Sequence, residues 1–168
     1  MLRTILHGVD TLSEWSGKIF SFLLLAVILV LLFEIGMRYL LNMPTIWAHE
    51  ITQHTFGAYS ILAGAYVLLS RGHVKVDVVY SQLSRRGQAI LDSITYLLFF
   101  VFVSPIFGYG LVQATDSIRI MEVSFSPFAP PIWPLKITVP LGALLILLQG
   151  IAHWIRTLSI AIRGKEIG

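Results

Sequence analysis

Four long apolar stretches, at residues 19–41, 48–69, 89–112 and 135–155, set the terms for any fold this chain can adopt. A bilayer core about 30 Å thick is crossed by roughly 20 apolar residues rising about 1.5 Å each, and every stretch meets that length. With 56% hydrophobic and 12% charged residues and a mean hydropathy of +0.80, the chain is too apolar to solvate a globular surface. The expected fold is an all-α integral membrane protein of four transmembrane helices. Short connections leave no space for a second unit, so residues 1–168 are expected to form a single domain.

Lys and Arg are retained on the cytoplasmic side of short loops. Arg3, Lys18, Arg71, Lys75, Arg85, Arg86, Arg156, Arg163 and Lys165 fall on one side of the expected spans, and Arg38, Arg119 and Lys136 on the other. Nine against three places both termini in the cytoplasm. The net charge of +3 and pI near 9.4 follow from this asymmetry and point to no nucleic-acid partner. The first stretch is long enough to span, ends in Glu34 and Arg38 and lacks a small-x-small cleavage pattern, so it reads as a permanent helix rather than a signal peptide. Cysteine is absent, which excludes disulfides and thiolate metal sites.

Residues 1–17 carry Leu2, Ile5, Leu6, Val9, Leu12 and Trp15 at helical spacing, with Arg3, His7, Asp10 and Glu14 opposite. This predicts an amphipathic helix that lies in the cytoplasmic interface or docks on a partner. Pro44 stops the first span and Trp47 suits the interface belt, so spans one and two are expected to form a tight antiparallel hairpin. Gln53, Gly57, Ser60 and Gly64 place small or polar residues on one face of span two, where helix backbones can approach closely. Between spans two and three, Arg71 to Gly87 reads as a short amphipathic cytoplasmic segment that Asp77 could cap. Pro105, Gly108 and Gly110 weaken the outer half of span three. The connection from Gln113 to Lys136 holds Pro127, Pro130, Pro131 and Pro134, so it is stiff and not helical throughout.

Few residues offer chemistry. Glu34 and Arg38, four apart near the outer end of span one, pair within the helix or tie it to a neighbouring helix or subunit. His54 and His153 invite a haem reading, as in the membrane anchor of a respiratory oxidoreductase that holds haem or quinone. They sit at opposite depths of their spans, too far apart for one iron. There is no serine, histidine and acid constellation, phosphate loop or metal-spaced cluster, so an enzyme role and a cofactor have no support. The bilayer midplane is nearly free of polar groups in spans one, three and four, where an autonomous transporter would need them. An accessory subunit fits this pattern.

The order Glu34-x-x-x-Arg38-Tyr39, Trp47-x-x-Glu50, His73-Val-Lys-Val-Asp77 and Pro140-x-Gly142 with Gln149 resembles the small, DctQ-like membrane subunit of tripartite ATP-independent periplasmic (TRAP) transporters. The resemblance covers nearly the whole chain. It implies a bacterial inner-membrane complex with a soluble periplasmic substrate-binding protein and a large multi-spanning subunit, which carries the substrate and sodium sites and moves as an elevator. The small subunit would be part of the static scaffold in a symporter for organic acids. Carried over by position, Glu34, Arg38, Trp47, Glu50, His73, Asp77 and Gln149 would be structural or interface residues, joined by the packing face of Gln53, Gly57, Ser60 and Gly64.

Overall fold

The computed structural model describes residues 2–70 and 84–163. The amphipathic segment expected between spans two and three, with His73 and Asp77, lies outside the described residues. Those described form helices α1 (Leu2–Tyr39), α2 (Ala48–Leu62), α3 (Gly64–Leu69), α4 (Arg85–Arg119) and α5 (Trp133–Arg163). Three regions, Thr4–Tyr39, Gly87–Arg119 and Trp133–Ile162, are long and apolar enough to cross a membrane. The second expected span is divided between α2 and α3 by a turn at Ala63. Even so, the Ala63 N–H donates to the Tyr59 carbonyl at 2.9 Å and the Val67 N–H to the Ala63 carbonyl at 3.1 Å. The helical i to i−4 bonding therefore passes through the junction.

The amino-terminal region departs from expectation. No boundary separates an interfacial helix from span one near Lys18, because α1 runs unbroken from Leu2 to Tyr39. Ser16-Gly17-Lys18 holds no proline, and a single glycine lowers helix stability by only about 1 kcal/mol. Ser13, Ser16 and Leu6 are buried against the rest of the chain, whereas Ile5, Leu12 and Trp15 stay exposed. Leu6 apart, the large apolar side chains of this segment face away from the protein.

Helix α4 also outruns its expected span of 89–112, continuing to Arg119, since no proline follows Pro105 until Pro127. Ser84 caps it by accepting a hydrogen bond from the Gly87 N–H at 3.2 Å. Pro105 lies inside α4 and Pro140 inside α5. Each removes one backbone donor, a loss that transmembrane helices tolerate when neighbours re-satisfy the freed groups.

Among the described residues the helices pack largely as a row. α1 lies on α2 and α3 and touches α5 through its amino-terminal part, α2 and α3 lie on α5, and α4 packs against α5 with no comparable contact to any other described helix. Glycine sets the closest approaches, as expected where lipid supplies no hydrophobic drive between helices. A Cβ added to Gly142 of α5 would fall 2.8 Å from the Ile61 carbonyl oxygen of α2, and one added to Gly110 of α4 would fall 3.3 Å from the Pro140 nitrogen of α5.

Candidate functional site

Polar side chains in this row collect at its two ends. At the end of the α1–α2 connection, Glu34 accepts from Arg38 Nη2 at 2.8 Å and Nε at 3.2 Å, and its other oxygen accepts from the Thr45 hydroxyl at 2.5 Å and the Thr45 N–H at 3.2 Å. Phe33 stacks on Trp47 with ring centroids 5.7 Å apart. Asn42 adopts a left-handed backbone with φ 53°, which asparagine tolerates better than most residues. The Met43 N–H then reaches the Met37 carbonyl at 2.9 Å. Glu34, Arg38 and Trp47 are thus brought together, and Glu34 ties the end of α1 to the loop that follows it. Thr45 was not singled out from sequence, although a Pro-Thr pair beside a spanning acid is a usable signal.

Helices α2 and α3 divide the small-residue face between them. Gly57 and Gly64 meet α5, a Cβ on the first coming within 3.4 Å of Leu135 and one on the second within 2.7 Å of Ile146. Gln53 and Ser60 stay exposed, Ser60 donating back to the Phe56 carbonyl at 2.9 Å. Glu50 stands apart from the Glu34 cluster, with its Oε2 buried and unbonded among the described residues.

The opposite end is tied by Gln149, the largest of the fully buried side chains at 0% exposure. Its Oε1 accepts from the Ser13 hydroxyl at 2.7 Å, and its Nε2 donates to Asp10 Oδ1 at 3.0 Å. Arg156 completes the group as a bidentate donor to Asp10, at 3.1 Å and 2.5 Å. Asp10, Ser13 and Arg156 were not picked out from sequence as a site. Their polarity on an otherwise apolar helix was the available sign.

Between α4 and α5, the connection folds as a small hairpin. Val123 bridges to Pro131, the Ser124 N–H donates to the Pro130 carbonyl at 2.9 Å, and the Ile132 N–H to the Glu122 carbonyl at 2.9 Å. Lys136 Nζ donates to Glu122 at 2.5 Å. That ammonium holds the Glu122 carboxyl below its ordinary value of 4.5. A carboxylate with a lowered folded pKa stabilises above its unfolded pKa, and this contribution is lost as pH falls through the folded value. Amide exchange at Ser124 and Ile132 is therefore expected to be slower at pH 7 than opening rates at pH 3 allow, after correction for intrinsic exchange. Lys136→Met should remove most of that difference. Equal pH dependence with and without Lys136 would show that the ion pair does not hold the hairpin.

The histidines do not converge. His54 lines an open groove of roughly 460 Å³ with Ile51, Thr55 and residues 128–131 of the hairpin. His153 lies at the Gln149 end, stacked on Tyr96 with centroids 6.5 Å apart. No pair of axial ligands forms between them. Among the described residues, no group of three or more His, Asp or Glu is placed to hold a metal ion.

A row of apolar helices with polar ties only at its ends, and no reactive constellation among the described residues, defines a multi-pass membrane component. Residues 27–159 match the family of tripartite ATP-independent periplasmic transporters, DctQ component, and the chain belongs to that family. It is a small TRAP transporter permease subunit of the bacterial inner membrane, a transport component and not an enzyme. It is similar to the sialic acid TRAP transporter small permease protein SiaQ of Vibrio cholerae, at 25% identity over 129 residues, covering 75% of this chain and 70% of that protein.

Proposed function

We propose that this subunit is a static scaffold in a sodium-coupled TRAP transporter for organic acids, supporting a large elevator-type membrane subunit and adding to the docking surface for a periplasmic substrate-binding protein. The observation that carries this reading is the row of helices. Only 6% of the most apolar window of α1 and 6% of that of α4 are buried by the chain itself. A protein that moved substrate on its own would enclose a polar path near mid-membrane. This one instead offers two broad apolar faces, one suited to lipid and one to a large helical partner. Sialic acid, named for the similar protein, is itself an organic acid, which supports the substrate class but not its identity here.

In this reading α2 and α3 together form the fourth span, about 33 Å long over 22 residues at 1.5 Å each. Both termini then lie in the cytoplasm, as the distribution of basic residues favours. Exposed Gln53 and Ser60 suit contact with the large subunit, and Glu50, with a buried oxygen, suits a structural role beside them. Glu34, Arg38 and Trp47 shape the loop beside that contact. His73 and Asp77 keep their proposed interface role on the family resemblance alone.

Affinity purification in mild detergent tests the scaffold reading. A large polytopic membrane protein is expected to copurify with the wild-type chain. Glu34→Ala, which frees Thr45 and Arg38, should reduce recovery of that complex several-fold while membrane insertion of the chain changes little. Recovery of the chain alone, from membranes that contain the large subunit, would overturn the reading.

A further inference from the structure

Residues 121–126 read Met-Glu-Val-Ser-Phe-Ser, and the hairpin sorts them onto two sides. Glu122, Ser124 and Ser126 turn inward. Glu122 pairs with Lys136, the Ser124 hydroxyl accepts from the Ser126 N–H at 3.4 Å, and the Ser126 hydroxyl accepts from the Ala129 N–H at 3.1 Å. Met121, Val123 and Phe125 turn outward and are 63%, 49% and 104% exposed. Alternate residues of an extended segment point to opposite sides. Here the apolar side faces away from the protein, the reverse of a loop built for water.

We propose that the outward side of residues 120–128 is embedded in the headgroup-to-acyl boundary of the lipid leaflet at that end of the molecule. Three observations favour lipid over a soluble protein. No charged residue occurs from Val123 to Leu135, whereas a protein–protein contact carries a polar rim. The last apolar residues of α4, Ile118 and Ile120, are also exposed and lead into Met121, Val123 and Phe125, while the exposed Asp116–Arg119 pair lies one turn back. Finally, the backbone bonds that close the hairpin prevent these side chains from folding inward, so little ordering is left for the moment of insertion. Phenylalanine, methionine and valine supply apolar area at the interface, and Arg119 one turn back can extend its guanidinium to the headgroups.

The inference needs α4 and α5 to cross the bilayer and does not depend on the transport assignment. Because the chain contains no cysteine, Phe125→Cys can carry a single environment-sensitive fluorophore on the full-length protein. The labelled chain is placed in phosphatidylcholine and phosphatidylglycerol vesicles, both alone and with its copurifying membrane partner. Emission is expected to shift to the blue, with several-fold stronger quenching by shallow doxyl-labelled lipid than by aqueous iodide. A Val123→Cys label should behave alike, and a Val101→Cys label in mid-α4 tests the crossing itself. Iodide quenching without lipid quenching at Phe125 would overturn the proposal in favour of a water-facing docking surface. Protection from both quenchers only in the presence of the partner would overturn it in favour of a contact with that subunit.

Discussion

Gly142→Val is expected to separate α2 from α5 and to destabilise the protein by roughly 3 kcal/mol, the upper part of the range for inserting bulk into a packed contact. The reason is the identity of what the new side chain meets. A Cβ at residue 142 would lie 2.8 Å from the Ile61 carbonyl oxygen and 3.0 Å from its carbon, and backbone inside a helix cannot swing aside as a side-chain tip can. Relief requires the two helices to move apart, which also loosens the Gly57–Leu135 and Gly64–Ile146 contacts along the same crossing. Gly108→Val is the matched control, because a Cβ there meets nothing within 4 Å. Thermal unfolding in detergent, followed by fluorescence, should show a large fall in midpoint for the first variant and little change for the second. Equal falls would mean that helix propensity, and not the close approach, is responsible.

Asp10→Ala should have the second largest effect, costing about 2–3 kcal/mol by stranding a charged partner in a partly enclosed site. The side chains of Arg156 and Asp10 are only 17% and 25% exposed. Removing Asp10 leaves the guanidinium without its anion and the Gln149 amide nitrogen without its acceptor. The double replacement Asp10→Leu with Arg156→Met should cost less than Asp10→Ala, since no buried charge remains. Hydrogen exchange offers the direct readout. Amides in the amino-terminal third of α1 should exchange faster in Asp10→Ala while those of α4 are unaffected. If the double variant were as unstable as the single one, the network would matter for packing rather than for charge.

Much of the architecture was legible because bilayer thickness is a hard length constraint. The spans expected at 19–41, 89–112 and 135–155 lie within α1, α4 and α5 apart from the last residues of the first. Pro44 marks the end of the first span in the sequence, and α1 does pack on α2 beyond the connection that holds it. What the sequence hid is long-range. Gln149 bonds Ser13 and Asp10, which are 136 and 139 residues away, and no local periodicity signals such a tie. The expected break near Lys18 failed because amphipathicity reports which residues differ around a helix, not where the helix bends. The 120–132 hairpin was hidden by its prolines. They drew the reading toward a stiff irregular loop, although alternation from Met121 to Ser126 was visible in principle.

The helix row carries a consequence for how the protein comes apart. Its members are two antiparallel hairpins, α1 with α2 and α3, and α4 with α5, joined along the line where α1, α2 and α3 meet α5. In lipid each hairpin can persist once inserted, because its backbone bonds are internal. Damage along that line should therefore open the molecule like a book whose covers stay intact, leaving two membrane-embedded leaves rather than an unfolded chain.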